Sequence, residues 1–323
     1  MRARLAALDY IADEALSVSV FLASRLGRPL LVEGAPGVGK TELAKVVSRM
    51  LGADLIRLQC YEGLDLARAA YEWNYPRQLL DIQARGAAGR SAPGAAAATG
   101  VAAAPGAASG PVADLFSEEY LLRRPLLDAI DPRRDRAPVL LIDELDRADE
   151  EFESFLLELL SDFQITIPEL GTVRAAHRPF VLLTSNRTRE VHDALKRRCL
   201  YQWIDYPNPE KEKQILERKV PGLGDALGRQ IVAFSARLRG AGLYKAPGVA
   251  ESIDWARALE LLGVRELCLD DVHSTLGCLV KHQDDVERLR GGLARELLEA
   301  DSVPANSQAG NSIAGSSIAG SGA

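Results

Sequence analysis

Cysteine is scarce in this sequence of 323 residues, and its four copies lack the spacing of a metal site or a redox pair. No C-x-x-C pair is present, and no histidine stands at zinc-site spacing from a cysteine. These absences argue against a disulfide-stapled or zinc-stabilised fold. We expect buried, reduced thiols at Cys60, Cys199, Cys268 and Cys278.

Long hydrophobic runs are also missing. No window reaches the roughly 18 uninterrupted apolar residues that a membrane-spanning helix needs. The first residues, Met1-Arg2-Ala3-Arg4, do not lead into an apolar core with a small-residue cleavage site. We therefore expect no membrane span and no signal peptide, and we predict a cytoplasmic protein.

Positive charge is not in excess. The chain carries 39 Lys and Arg against 45 Asp and Glu, a formal net charge of −6. An acidic chain has no general attraction for phosphate backbones, which disfavours a dedicated nucleic-acid binder but leaves room for a local basic surface. Apolar residues make up 47%, enough for a core, and the length suits about two domains at roughly 150 residues each.

Two segments have a low-complexity composition. Residues 86–113 are almost entirely Ala, Gly, Pro and Ser, so they lack the apolar bulk to offset their ordering entropy. We predict a flexible loop inserted within a domain, because motif-bearing segments flank it. Residues 301–323 contain a small duplication of Ser-Ile-Ala-Gly-Ser, and we predict a disordered tail.

Between these segments, short apolar runs alternate with helical patterns. Runs at 29–33, 55–58, 139–142, 181–184 and 201–204 suit strands of a buried parallel sheet. Helical spacing covers residues 8–26 and 41–51 and a stripe of Phe152, Phe155, Leu156, Leu159, Leu160 and Phe163. We predict an α/β fold with a three-layer αβα core over residues 1–207. Residues 208–300 are predicted to form a small all-α domain.

One motif fits a phosphate-binding loop at every fixed position. The segment is Gly34-Ala35-Pro36-Gly37-Val38-Gly39-Lys40-Thr41, which matches G-x-x-x-x-G-K-[ST] between a predicted strand and a predicted helix. In such a loop, backbone N–H groups point at phosphates and the helix N-terminus adds positive potential. Lys40 is predicted to reach the β- and γ-phosphates of ATP, and Thr41 to offer its hydroxyl to Mg²⁺. Glu42 completes the predicted nucleotide site.

Polar residues end two other predicted strands. Asp143 and Glu144 follow the run at 139–142, at the sheet edge where open α/β sheets bind ligands. Asp143 is predicted to hold Mg²⁺ through water, and Glu144 to polarise the attacking water as general base. Asn186 follows the run at 181–184 and is predicted to hydrogen-bond that water or the γ-phosphate. The alternatives are a helix cap for the acidic pair and a turn for Asn186.

These segments, in this order, resemble the AAA+ ATPases. Two phrases are most similar to the MoxR branch: Leu141-Ile142-Asp143-Glu144-Leu145-Asp146-Arg147-Ala148 and Phe155-Leu156-Leu157-Glu158-Leu159-Leu160. Two others are most similar to the accessory ATPases of carbon monoxide dehydrogenase (molybdenum hydroxylase) maturation clusters: Gln59-Cys60-Tyr61-Glu62-Gly63-Leu64-Asp65 and Asp193-Ala194-Leu195-Lys196-Arg197-Arg198-Cys199. The resemblance covers roughly residues 8–290.

The resemblance implies a P-loop NTPase core with a helical lid, assembled as a homo-oligomeric ring, usually a hexamer, with ATP between subunits. It implies that Arg198, or else Arg197, is an arginine finger that reaches the neighbour's γ-phosphate. It places a hairpin over residues 164–176, which the local pattern also predicts, facing the pore or the client. The implied partners are a von Willebrand factor A-domain protein and a client metalloenzyme that the ring helps to mature.

One position departs from the family pattern. Family members commonly carry a lid arginine that contacts the γ-phosphate, and the best-matching position here is Glu251. Arg257 is one candidate substitute, and slow hydrolysis is another consequence of the change. Three alternative functions stay open: a nucleic-acid motor, a nucleotide-gated scaffold with little hydrolysis, and a P-loop kinase. The kinase alternative does not account for Glu144 or the finger segment.

Overall fold

The computed structural model describes residues 1–90 and 113–300, and covers only the backbone of residues 85–90 and 113–114. The chain divides between Tyr206 and Pro207 into two compact units. The predicted tail and most of the predicted flexible loop lie outside the described residues. Residues 86–90, which we assigned to that loop, instead end the helix Tyr75–Arg90. Ala87, Ala88 and Arg90 favour helix there, whereas Gly86 and Gly89 oppose it.

The first unit contains strands and helices in alternation. The described strands are β1 Leu30–Gly34, β2 Leu55–Gln59, β3 Tyr71–Trp73, β4 Leu121–Arg123, β5 Val139–Asp143, β6 Gln164–Ile167, β7 Gly171–Arg174, β8 Phe180–Ser185 and β9 Leu200–Ile204. The described helices of this unit are α1 Arg2–Ala6, α2 Glu14–Leu26, α3 Lys40–Leu51, α4 Leu66–Ala69, α5 Tyr75–Arg90, α6 Pro125–Ala129, α7 Glu150–Asp162 and α8 Asp193–Arg198.

A five-stranded parallel sheet lies at the centre of this unit, in the order β2-β5-β8-β1-β9. Leu30 of β1 is level with Leu182 of β8 and Leu200 of β9. The strands therefore start at one edge of the sheet, which we call the amino edge, and finish at the other, the carboxyl edge. The predicted parallel sheet is confirmed, with each predicted run lying on one of these strands.

Helices cover both faces of the sheet. One buried cluster contains Leu31, Leu140, Ile142 and Leu183 of the sheet with residues of α6 and α7. A second cluster contains Leu30, Val32, Leu141 and Leu182 with residues of α1, α2 and α3. Neighbouring residues of one strand enter different clusters because strand side chains alternate between the two faces. The predicted three-layer αβα core is thus confirmed.

The first predicted helix is shorter than expected. We predicted a helix over residues 8–26, but α2 begins only at Glu14, after Asp13 accepts a hydrogen bond from Leu16 N at 2.8 Å. Asp9, with φ 59°, lies in the turn that separates α1 from α2. The N-cap preference of Asp13 outweighs the apolar spacing before it. The helix ends at the expected Gly27, whose φ is 63°.

Two antiparallel strand pairs accompany the sheet. β6 pairs with β7, which confirms the hairpin predicted over residues 164–176. β3 pairs with β4, so segments on either side of residues 91–112 meet in an antiparallel pair that we did not predict. Phe163, at the left-handed end of α7, redirects the chain from the helix into β6.

Every regular element described after Pro207 is helical. The helices are α9 Pro209–Lys219, α10 Asp225–Gly240, α11 Val249–Leu261, α12 Leu269–Leu279, α13 Gln283–Arg288 and α14 Ala294–Glu299. Trp255 and Phe234 form the centre of their core, with ring centroids 5.4 Å apart. Arg239 donates to both carboxylate oxygens of the buried Glu212 at 2.7 and 2.6 Å. In the described ranges, no helix has the length and apolar character to cross a membrane.

Candidate functional site

The loop between β1 and α3 carries the phosphate-binding motif at the carboxyl edge. Gly39, just before α3, has φ 94°, a left-handed conformation that favours glycine. A Cβ on Gly34 would lie 2.2 Å from the carbonyl oxygen of Ile204 in β9, so only glycine permits this approach. Gly34 and Gly39 are therefore required by the local backbone. α3 starts directly after them, with its unpaired N–H groups at this edge.

Lys40 is buried in this loop. It is 7% exposed, and its Nζ donates to the carbonyl oxygens of Gly34 and Ala35, both at 2.8 Å. Burial lowers the pKa of Lys40 from its usual 10.5 to about 8, while nearby carboxylates, led by Asp146 and Asp143, oppose that shift. A bound phosphate would add negative charge beside this ammonium group, so Lys40 is placed to gain from an anionic ligand.

Asp143 is the centre of the polar contacts at the carboxyl edge and is 2% exposed. Its carboxylate accepts hydrogen bonds from the hydroxyls of Thr41 at 3.0 Å and Thr184 at 2.5 Å. Arg57 of β2 donates to Asp143 Oδ2 from Nη2 at 2.6 Å and from Nε at 3.1 Å. These donors come from three different elements and fix the carboxylate in one orientation beside Thr41.

Glu144 follows at the end of β5 with φ 55°, which is uncommon for a residue with a side chain. Its backbone N–H donates to Thr184 Oγ1 at 2.9 Å, and its carboxylate pairs with Arg147 Nε at 2.7 Å. The Thr184 hydroxyl thus donates to Asp143 and accepts from Glu144. The acidic pair does not cap α7, because Asp149 does so by accepting from Phe152 N.

Asn186 lies directly after β8, beside the acidic pair. Its backbone N–H donates to Asp146 Oδ1 at 3.1 Å, and Asp146 Oδ2 also accepts from Thr188 N at 2.9 Å and Thr188 Oγ1 at 2.6 Å. Burial alone would raise the pKa of Asp146, but the hydrogen bonds from Thr188 and Asn186 outweigh it, and the pKa is lowered. Asp146 therefore ties the turn that contains Asn186 to the turn that follows Glu144.

The donor set at the carboxyl edge fits a magnesium ion. Thr41 and Asp143 offer a hydroxyl and a carboxylate within 3.0 Å of each other, and both are the hard oxygen ligands that Mg²⁺ prefers. Mg²⁺ at nucleotide sites uses a few protein oxygens together with phosphates and water. Over residues 1–90 and 113–300, no group of three or more His, Cys, Asp and Glu side chains is arranged to hold a metal ion.

The two predicted finger arginines lie at the other edge of the sheet. Arg197 and Arg198 end α8, and Leu200 then starts β9, level with Leu30 at the start of β1. β1 is five residues long, so the loop at its far end begins about 13 Å further along the strand direction. Arg198 Nε donates to Ser161 Oγ of α7 at 2.7 Å. The fold therefore does not bring these arginines to the phosphate loop of their own chain.

Three other residues from the sequence analysis have local partners. Glu42, in the first turn of α3, pairs with Lys45 at 3.3 Å and Arg49 at 3.5 Å. Glu251 caps α11 by accepting from Gly248 N at 2.9 Å, which gives this glutamate a local structural role. Arg257 pairs with Asp254 at 3.6 Å on the same helix.

Sequence reasoning missed Arg57, Thr184 and the anchoring contacts of Asp146. Thr184 and Asp146 stood inside the phrases that we had singled out, so their polarity beside the predicted acids was the available signal. Arg57 interrupts a short apolar strand, and this break in the pattern was its only signal. None of the three could be joined to Asp143 before the strand order β2-β5-β8 was known.

Comparison with known proteins finds many similar solved structures. No curated protein sequence matches the chain significantly. Two solved structures of substituted forms of Thermotoga maritima RuvB are 18% and 16% identical, with TM-scores of 0.48 and 0.49. The first match covers 90% of this chain and 80% of the RuvB chain, and the second covers 91% of this chain and 83% of the RuvB chain. The Thermotoga maritima RuvB Holliday junction branch migration motor is 18% identical, with a TM-score of 0.46. This match covers 91% of this chain and 82% of the motor's chain.

The fold and the loop together define the class of the protein. A parallel sheet with helices on both faces, with a G-x-x-x-x-G-K-T loop between β1 and α3, is the P-loop nucleoside triphosphatase arrangement. A family model described as "AAA domain (dynein-related subfamily)" matches residues 29–199, more than half of the chain. The chain belongs to this family of AAA domains.

Proposed function

We propose that the chain hydrolyses Mg-ATP at a site that two copies complete together, within a homo-oligomeric ring. One observation carries this proposal: the phosphate loop, Asp143 and Asn186 lie at the carboxyl edge, while Arg197 and Arg198 lie at the amino edge of the same sheet. An arginine at the amino edge can serve a phosphate only in another copy. A closed ring lets every copy both give and receive such an arginine.

At the carboxyl edge, we assign binding to the phosphate loop, Lys40 and Thr41. The loop N–H groups and the N-terminus of α3 hold the phosphates, and Lys40 exchanges its contacts with two loop carbonyls for phosphate oxygens. Thr41 and Asp143 would hold Mg²⁺, which neutralises phosphate charge and orients the triphosphate. Thr184 and Arg57 keep the Asp143 carboxylate in place beside Thr41.

We assign the attack of water to Glu144 and Asn186. Glu144 accepts the proton from the water, and its present contact with Arg147 Nε at 2.7 Å must loosen for it to do so. Asn186 orients the water or the γ-phosphate, and Asp146 fixes the turn that carries Asn186. The transferred phosphoryl group develops charge that Arg198 of the neighbouring copy stabilises, with Arg197 as the second candidate.

For the biological role, we propose that the ring remodels a client metalloenzyme during its maturation, with a von Willebrand factor A-domain partner. The support is the resemblance of the acidic-pair and finger phrases to MoxR-type ATPases. The net charge of −6 favours a protein client over a nucleic acid. A deletion strain whose client enzyme still has its full metal content would contradict this role, and salt-sensitive, DNA-stimulated turnover would favour a nucleic-acid motor.

The test of the shared site is ATP turnover over a series of protein concentrations, for the wild type, Glu144→Gln and Arg198→Ala. We expect specific activity to rise with concentration as rings assemble. We expect Glu144→Gln to bind ATP with turnover reduced roughly 1,000-fold, and Arg198→Ala to lose a comparable factor. Mixing the two variants should restore activity, because Glu144→Gln supplies Arg198 to a site whose Glu144 is intact.

Lys196→Ala is the matched control, since it removes a cation from the same helix two residues before Arg198. It should leave turnover within about twofold of the wild type, because the half-buried Lys196 has no assigned part in the shared site. Turnover that is independent of concentration and of Arg198 would contradict the shared site. ATP binding without turnover in the wild type would favour the nucleotide-gated scaffold.

A further inference from the structure

Arg28 links the start of the central sheet to the end of α8. It lies between α2 and β1 and donates from Nη2 to Arg197 O at 2.9 Å and to Cys199 O at 3.3 Å. Its Nε donates to Arg198 O at 3.3 Å. One guanidinium therefore contacts the carbonyl groups of three consecutive residues, two of which are the predicted finger arginines.

These carbonyls need an external partner. The last carbonyls of a helix have no donor within the helix, and α8 has only six residues, too few to hold its own position. A guanidinium provides several donors in a rigid fork, and its positive charge also suits the negative end of a helix. Arg28 meets both requirements at the place where α8 turns into β9.

The anchor of this contact is the sheet itself. Arg28 precedes Pro29, whose carbonyl oxygen accepts from Leu200 N at 2.8 Å, and the pairing of β1 with β9 continues from there. The backbone of Arg28 is thus fixed at the start of the β1–β9 pair, in which β1 is an inner strand and β9 is the outermost strand of the sheet. On the other side, Arg198 Nε donates to Ser161 Oγ of α7. The end of α8 is held between these two contacts.

We infer that Arg28 is a positioning residue for the arginine finger: it fixes the backbone from which Arg197 and Arg198 extend towards the neighbouring copy. This inference rests on the proposed shared site. Arg28 lies at the amino edge, away from the phosphate loop of its own chain, so it acts on the site of the neighbour and leaves nucleotide binding in its own copy unchanged.

The test compares Arg28→Gln, Arg28→Lys and Arg198→Ala by steady-state kinetics and by direct binding of a fluorescent ATP analogue. We expect Arg28→Gln to lower kcat roughly tenfold, since small misplacements of a catalytic group have effects of this order or larger. KM for ATP and analogue affinity should stay within about twofold. Arg28→Lys, which keeps one cation but not the fork, should lose less than Arg28→Gln.

The decisive step is mixing with Glu144→Gln. Arg28→Gln copies keep an intact Glu144, and Glu144→Gln copies keep an intact Arg28, so mixed rings contain sites with both, and activity should recover as it does for Arg198→Ala. Arg25→Gln is the matched control: it is an exposed arginine three residues earlier, whose guanidinium lies 5.7 Å from the Phe21 ring centroid. It should behave as the wild type.

The outcomes separate this inference from the proposed function. If Arg198→Ala loses activity and recovers on mixing while Arg28→Gln keeps wild-type kcat, the inference is wrong and the shared site stands. If Arg28→Gln loses activity but does not recover on mixing, it acts within its own copy or on folding, and the inference is also wrong. If Arg198→Ala has no effect, the shared site fails and the inference fails with it.

Discussion

The two edges of the central sheet are built in different ways. At the carboxyl edge, side chains contact one another around a buried carboxylate: Asp143, 2% exposed, meets Thr41, the buried Thr184 and the exposed Arg57. At the amino edge, exposed arginines contact backbone carbonyls, as Arg28 does at the end of α8. The first arrangement suits a preformed binding site, and the second suits a surface that another molecule completes.

The difference also teaches how the edges depend on each other. The connection from β8 to α8 leads from the carboxyl edge to the amino edge, and Glu153 of α7 holds it in the middle. Glu153 is 1% exposed and accepts from Arg189 and from His192 N, the latter at 2.7 Å. Glu153 therefore holds the segment that connects the turn with Asn186 to the helix with Arg198.

The largest expected effect concerns nucleotide binding at the carboxyl edge. Lys40→Ala should weaken ATP binding by roughly 100-fold or more, because it removes a buried cation from the phosphate loop. The matched control is Lys45→Ala, on the same helix, where the lysine is exposed and paired with Glu42 at 3.3 Å. Titration of a fluorescent ATP analogue measures both. Equal losses of affinity in the two variants would contradict a specific role of Lys40 in binding phosphate.

The next effect concerns the anchor between the edges. Glu153→Gln should lower the free energy of unfolding by about 3 kcal/mol, because it removes the buried carboxylate that holds Arg189 and the His192 N–H. Glu158→Gln, on an exposed position of α7, should change it by less than about 0.5 kcal/mol. Urea unfolding compares the two. A similar, small change in both would mean that Glu153 is not an anchor.

Substituting one glycine at each edge compares how strictly the backbone there requires glycine. Gly34→Ala should destabilise the protein by about 2 kcal/mol or more, since its Cβ would lie 2.2 Å from Ile204 O. Gly27→Ala, at the end of α2, should lose only about 1 kcal/mol, because its φ of 63° is unfavourable but no atom lies within 4 Å of the added Cβ. Thermal unfolding ranks the stabilities of the two variants. A larger loss for Gly27→Ala than for Gly34→Ala would show that the protein tolerates a Cβ close to Ile204 O.

The smallest effect is the pH dependence of binding. Because the pKa of Lys40 is lowered to about 8, ATP affinity should be highest below pH 8 and fall by up to about tenfold per pH unit above it. Bound phosphate favours the charged amine, so binding above pH 8 should take up a proton. Calorimetry in buffers of different ionisation enthalpy measures this uptake. Affinity that stays constant from pH 7 to pH 9 would contradict the lowered pKa.

The same shift has a defined sign for stability. The folded pKa of Lys40 lies below its unfolded value of 10.5, so the unfolded chain binds more protons between about pH 8 and pH 10.5. The unfavourable burial of the charged amine is fully present below pH 8. It is relieved as the pH rises through this window, so Lys40 makes a contribution to stability that increases there.

Several elements were predictable because their signals are local. The strands are short apolar runs, and the phosphate loop is eight consecutive residues, from Gly34 to Thr41. The hairpin at 164–176 followed from its own pattern as well. Our prediction of where α2 starts was wrong, because a single cap residue, Asp13, decides where the helix begins even though apolar spacing continues before it.

The sequence by itself therefore determined the P-loop class, the phosphate loop and the polar residues that end β5 and β8, because each depends on neighbours in the chain. The tertiary structure decided the rest. Strand order placed Arg57 and Thr184 on Asp143, and the parallel direction of the strands placed Arg198 at the opposite edge from Lys40. Contacts between residues far apart in the chain depend on how the strands are ordered and directed, and no local pattern encodes that.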